Sequence, residues 1–239
     1  MVIRTEKALL TQQEAAKQLG VTQANISHLV KTGSLEHFEN GDSRRFVTAD
    51  SVNRYARQSR DNRKALKSET AMGVLYLLSD MEAPWLTRMQ SSRCRRRLAE
   101  TDAGALVWLT RKRAKRLGYW IHDSKIEALL GEIRVSGCAI EEIADLFNLS
   151  VGIPEGYVHE SDLPDIGRRF RLKQRKELKD RVILHVVPDV ITLPGPGSSM
   201  PAAVCAADLA ESSDPREHGE GLYAIEMMLK QRGEGQWRR

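Results

Sequence analysis

No run of apolar residues in this 239-residue chain approaches the ~18 that a membrane-crossing helix requires, and Met1–Leu10 has no secretory h-region. The expectation is a soluble protein with no membrane partner. Cysteine is scarce: Cys94, Cys138 and Cys205 lie far apart and form no CxxC pair. That spacing argues against a disulfide framework and against a thiolate zinc site. It fits reduced thiols in a cytoplasm, packed as small buried hydrophobes. Catalytic signatures are missing as well. The chain has no P-loop, no HExxH, no GxSxG and no Gly-Ser…Asp-x-Asp run, and His159, His185 and His218 lack ligand spacing. Neither enzymatic activity nor a cofactor or metal is expected. Internal repeats and sustained heptads are absent too, so no coiled-coil arm announces an oligomeric state.

What is present is charge, unevenly placed. Hydrophobic residues make up 41% of the chain, enough for real cores, and charged residues 29%. The net charge of +5 hides an asymmetry. Met1–Trp120 holds 22 Lys and Arg against 12 Asp and Glu, whereas Ile121–Arg239 holds 15 against 20. A basic front half on a mildly acidic back half points to a polyanion-binding portion joined to one with another task.

Three segments are expected in an α+β protein: residues 1–60, a basic helical middle over 61–130, and a mixed α/β portion over 131–239. The charged "SRDNRKALK", Ser59–Lys67, reads as a linker or an exposed helix extension. "ETAMGVLYLLSD" is apolar on more than one face and predicts a well-buried helix. Asp80–Pro84 and Thr101–Gly104 supply breaks. Arg93, Arg95, Arg96 and Arg97 fall within about one and a half helical turns, and the run Arg111, Lys112, Arg113, Lys115, Arg116 is expected to do the same. Such stretches either contact phosphates or form solvated surface and partners for acids of the back half. "DRVILHVVPDVITL" is the best strand signal in the chain, and "PGPGSSMP" is a loop by composition. Near the end, Asp214 caps a helix with Pro215 at its first position. Leu222, Ile225, Met228 and Leu229 form one face, and Gly233 is expected to stop it.

The most punctuated stretch is the first. Thr11 and Glu14 have the spacing of a reciprocal capping box, Ala15, Ala16 and Leu19 make a narrow apolar face, and Gly20 ends the helix. Thr22 caps a second helix whose Ile26, Leu29 and Val30 face inward, which leaves Gln23, Asn25, Ser27, His28 and Lys31 at or near the outside. A helix, a short turn and a helix form the geometry that offers the second helix to base edges. Gln23 and Asn25 suit bidentate contacts with adenine. After Gly33, "LEHFENGDSRRF" reads as a hairpin turning at Asn40-Gly41, with Arg44 and Arg45 beyond the turn and able to reach phosphates or the minor groove. A closing helix puts Val52, Tyr55 and Ala56 inward. With Ala15, Ala16, Leu19, Ile26, Leu29, Val30, Phe38 and Phe46, Val52 and Tyr55 can close one small core.

"LTQQEAAKQLGVTQANISHLVKTGSLEHFENGDSRRFVTADSVNRYA" resembles the winged helix-turn-helix of the MerR/excisionase group over about fifty residues. It departs from that pattern at Glu36-His37, where a Pro usually follows the "G-L". The stretches "SETAMGVLYLLSDMEAPWLTRMQSSRCRRRLAETDAGALVWLTRKRA", "IRVSGCAIEEIADLF", "EGYVHESDL", "ILHVVPD" and "AADLAESSDPREHGEGL" resemble the C-terminal domain of AbiEi-family antitoxins, across most of Glu69–Leu229. Those antitoxins repress their own operons and accompany nucleotidyltransferase-like toxins.

The two resemblances imply a sequence-specific, double-stranded-DNA-binding transcriptional regulator, antitoxin-like and autorepressing, associated with a bacterial nucleoid. Its protein partner would be a nucleotidyltransferase-like toxin or another protein. The expected DNA-binding residues are Gln12, Thr22, Gln23, Asn25, Ser27, His28, Lys31, Arg44, Arg45, Arg95 and Arg96. Two rivals remain: a DNA-architecture or immunity factor of the excisionase or phage-repressor kind, and a toxin-neutralising interaction protein. Asp208 and Glu211, at i and i+3, are the carboxylates of the back half able to share a helix face.

Overall fold

The computed structural model describes residues 9–39, 45–57, 64–137, 153–174 and 179–235, and shows a mixed α+β protein. The chain divides into two compact units: Met1–Gln58 with Gln174–Lys179, and Ser59–Lys173 with Asp180–Arg239. The first division falls between Gln58 and Ser59. The expected one near residue 130 is not a division between units. Strands on both sides of it belong to one sheet, because backbone pairing outweighs the change in local composition.

In the first unit, β1 (Leu9–Thr11) leads directly into α1 (Gln12–Leu19), then come α2 (Gln23–Lys31), β2 (His37–Glu39), β3 (Arg45–Thr48) and α3 (Ala49–Arg57). The sheet has the order β1-β3-β2, all antiparallel. Thr11 and Glu14 form the capping box, with the Thr11 N–H donating to Glu14 at 2.8 Å and the Glu14 N–H to Thr11 Oγ1 at 3.2 Å. Those bonds, the backbone one foremost, lower the Glu14 carboxyl from its usual range. Gly20 takes the left-handed conformation (φ 64°) that stops α1, and Gly33 (φ 69°) follows the end of α2. Thr22 caps α2 through the Asn25 N–H.

The core of this unit is Ala15, Ala16, Leu19, Ile26, Leu29, Val30, Leu35, Val47 and Val52, with Leu10, Val21 and Tyr55 packed against it. Two inward assignments need correction. Val47, not Phe46, is the buried apolar residue of β3, and Phe46 is only half-buried. Successive strand residues face opposite sides, so a one-residue shift of phase exchanges them. Ala56 is exposed, because the inward stripe of the closing helix runs through Val52 and the half-buried Tyr55. The side chain of Phe38 lies outside the described residues.

The second unit carries α4 (Ser68–Leu78), α5 (Arg88–Ala99), α6 (Ala103–Thr110), β4 (Lys115–Tyr119), α7 (Ile126–Leu130), β5 (Arg134–Ser136), β6 (Glu155–His159), α8 (Leu163–Phe170), β7 (Val182–Val187), α9 (Ala202–Ala210) and α10 (Pro215–Gly235). Its sheet has the order β4-β7-β6-β5. β6 and β7 are parallel, joined by a crossover that includes α8, and the outer pairs are antiparallel. β7 is buried along its whole length, as its β-branched run predicts for a strand covered on both faces. Val182, Leu184 and Val186 join Ile121, Leu129, Ile133, Val158, Ile166 and Phe170 on one side. Val187 and Tyr157 join the larger core of α4, α5, α6, α9 and α10 on the other. Every residue of Ala71–Leu78 is buried, as the all-round apolar pattern requires.

Two expectations fail in this unit. The basic run 111–116 is not a helix: α6 stops at Thr110, and Lys115 and Arg116 lie in β4, paired with Val186 and His185. Pairing with the most apolar strand of the chain overrides the helical preference of Arg, Lys and Ala. α10 also runs past Gly233 to Gly235. A glycine permits a left-handed stop without requiring one. Asp214 and Pro215 do start that helix, Asp214 Oδ1 accepting from the Arg216 N–H at 2.8 Å.

Candidate nucleic-acid interface

α2 is held by its apolar stripe. Ile26, Leu29 and Val30 are buried against α1, leaving Gln23, Ala24, Asn25, His28 and Lys31 exposed. Ala24, His28 and Lys31 stand at i, i+4 and i+7, so they form the centre of the outward face, with Gln23 and Asn25 on its two flanks. Thr22 is exposed at the N-terminal end, its oxygen occupied by the cap. No acidic residue lies on α2, and its last turn carries His28 and Lys31.

Ser27 has a different task from its neighbours. It is half-buried, and its hydroxyl donates to Gln12 Oε1 at 2.9 Å, tying α2 to the first residue of α1. The bond fixes which end of the Gln12 amide points back at α2 and leaves the Nε2 donor at the junction of the two helices. Other ties set the pose of the helices. Gln18 Nε2 donates to Asn53 Oδ1 at 2.7 Å, joining α1 to α3, and Arg54 reaches Glu36 at 2.7 Å and also Asp50. Arg44 lies outside the described residues. Arg45 begins β3 opposite Glu39 in backbone register, and its side chain is likewise outside the described set.

Arg95 and Arg96 belong to α5 in the second unit, where both are exposed. Arg113, from the later basic run, is instead 2% exposed. Its guanidinium spans Asp208 and Glu211, with Nη1 at 2.9 Å from Glu211 Oε1, and its Nε donates to the Tyr157 hydroxyl at 3.0 Å. Tyr157 donates to Asp208 Oδ1 at 2.9 Å, and Ser136 donates to Asp208 Oδ2. His185 stacks on Tyr157 with ring centroids 4.6 Å apart and contacts Glu155 at 3.0 Å.

Burial by itself would raise the Asp208 carboxyl, but Arg113, His185 and Ser136 outweigh it and hold it below its ordinary value. Burial pushes the Cys205 thiol beside this network up to about 12. Asp208 and Glu211 thus share a face, as their spacing suggested, and that face grips an arginine. Among the described residues no group of three or more His, Cys, Asp and Glu could hold a metal ion, and no helix is long and apolar enough to cross a membrane.

The chain matches no protein-family model, no curated protein and no solved structure.

Two features were missed by reading the sequence. Ala24 sits in the middle of the exposed face, and its position three residues before Ser27 and four before His28 was the available signal. Pairing with acids of the back half is one of the readings that the basic run allows, and Arg113 takes it, but nothing local marks Arg113 as the residue that does so.

Proposed function

We propose that residues 1–60 are a winged helix-turn-helix that reads double-stranded DNA, with α2 in the major groove, and that the protein is a transcriptional regulator. The observation that carries this reading is the face of α2. It is acid-free, exposed and mostly uncharged, on a helix whose opposite face packs on α1. Asn25 and Gln23 would read adenine edges, Ala24 would meet a thymine methyl, and His28 and Lys31 would bring donors to bases and phosphate. Gln12 and Ser27 act as a pair at the α1–α2 junction, with Gln12 Nε2 free to donate to a phosphate. Arg44 and Arg45, beyond the hairpin, would serve as the wing.

The antitoxin-like, autorepressing role rests on the resemblance of Glu69–Leu229 and on the acidic balance of the back half, which suits a partner other than DNA. The conspicuous carboxylates Asp208 and Glu211 are committed to Arg113, which supports a non-catalytic reading. Genome-wide mapping of bound DNA tests the function. Discrete sites including the promoter of the protein's own operon are expected, with transcription rising when Asn25 and His28 are both changed to Ala. Uniform occupancy without promoter sites would defeat the regulatory reading.

A further inference from the structure

α5 is the most one-sided helix of the described protein. Its sequence, RMQSSRCRRRLA, holds five arginines and no acid. Cys94 and Leu98 bury one side of it against the core of the second unit, while Arg88, Arg93, Arg95, Arg96 and Arg97 are all exposed. Met89, Arg93 and Arg96 stand at i, i+4 and i+7 opposite the buried pair, and Met89 is 64% exposed.

Several other arginines of this unit have found acids: Arg168 with Asp165 at 3.1 Å, Arg169 with Glu132 at 2.6 Å, and the half-buried Arg181 with Asp123, while the exposed Arg171 and Arg216 stand singly among the described residues. None of the five on α5 has an ion pair among the described residues, although Glu100 and Asp102 follow directly in sequence. Five unneutralised guanidinium groups on one short helix repel one another in the free protein. The arrangement becomes favourable against a dense line of negative charge.

We propose that α5 is a second DNA-binding surface, which grips the sugar-phosphate backbone of a duplex without reading its sequence. The proposal rests on the reading that α2 binds duplex DNA, and adds to it a separate contact made by the second unit. Charge density is what singles out this occupant. From Arg88 to Arg97 the helix rises about 14 Å, and a duplex carries roughly eight phosphate charges over that length. Arginine forks match phosphate oxygens in pairs. The core of a protein–protein interface is instead depleted of charge and enriched in apolar anchors, and Met89 is the one large apolar side chain on this outward face.

The test uses the full chain, a 40-base-pair duplex of random sequence, and salt titration of the binding constant. Arg93→Gln/Arg96→Gln should weaken binding and flatten the dependence of log affinity on log salt, by about one unit for each phosphate that is no longer neutralised. Arg93→Lys/Arg96→Lys, which keeps the charge, should retain most of the slope, showing that the loss in the Gln variant is not one of folding. An unchanged slope in the Gln variant, with the wild type binding, would overturn the role of α5 and leave that of α2 standing. If the wild type binds no duplex at any salt, both readings fall. Polyglutamate of matched charge is the competing ligand: a Gln variant that loses polyglutamate and keeps DNA would assign α5 to an acidic protein and also overturn the proposal.

Discussion

Arg113 sits between Lys112 and Ala114 in a run of basic residues, and in sequence it is indistinguishable from a phosphate-binding arginine. The structure sends its side chain inward, onto Asp208, Glu211 and Tyr157. Removing one member of a buried charged pair leaves the other without compensation, at a cost of roughly 3–5 kcal/mol. Arg113→Ala is therefore expected to lose about that much stability in urea unfolding, and a loss below about 1 kcal/mol would contradict the network described. Asp208 adds a pH dependence. Its folded value lies below the ordinary 3.8, so the carboxylate's contribution is complete above that value and is lost as pH falls through the lower folded one. Unfolding measured from pH 5 down to pH 2.5 should show stability dropping below pH 3.8, with a shallower drop in Asp208→Asn. The Cys205 thiol, raised by burial to about 12, should resist alkylation at pH 8 in the folded protein and react once denatured, as peptide mass mapping would show. The sequence allowed acids of the back half as partners for the basic run, but could not say which arginine meets which acid, because Arg113 and Asp208 are 95 positions apart.

Elements were legible where the signal is local. The capping box of Thr11 and Glu14, the stops at Gly20 and Gly33, the Asp214-Pro215 start and the two-faced burial of α4 and β7 all follow from side chains within a few residues of each other. The phase of β3 and the strand at Lys115–Tyr119 were not legible, since both are decided by which strand lies alongside. The packing of α9 on α10 belongs to the same class. Gly221 lies so close to α9 that an added methyl would strike the Ala210 backbone nitrogen and come within 2.6 Å of the Ala206 carbonyl oxygen. Gly219, on the same helix, has nothing within 4 Å. Gly221→Ala should thus destabilise by about 1–3 kcal/mol, as overpacking does, while Gly219→Ala should stabilise by up to about 1 kcal/mol through helix propensity. Thermal melts of the two variants should move in opposite directions. Equal shifts would mean that α9 and α10 do not pack as described.

At the scale of the whole molecule, the charged stretch Ser59–Lys67 begins where the two units divide. The sequence could not show that the helical middle and the β-rich back share one sheet and one pair of cores. Among the described residues, the core of the first unit draws on residues from Leu10 to Tyr55. A fragment ending at Lys67 is accordingly expected to unfold cooperatively by circular dichroism, and a non-cooperative profile would show that it needs the rest of the chain. The charge asymmetry between the halves acquires a meaning in the same picture. On the proposed reading, the first unit would recognise DNA, α5 would add a grip on phosphates, and the acidic balance of Ile121–Arg239 would suit a different partner. The central claim is that α2 reads base sequence. Selection of bound duplexes from a randomised library, with the wild type and with Asn25→Ala and His28→Ala, tests it most directly. The wild type should enrich one motif, and each variant should lose preference at particular positions of that motif, by roughly 1–3 kcal/mol per base contact, while non-specific affinity stays level. If both variants enrich the same motif as strongly as the wild type, α2 is not the reading element.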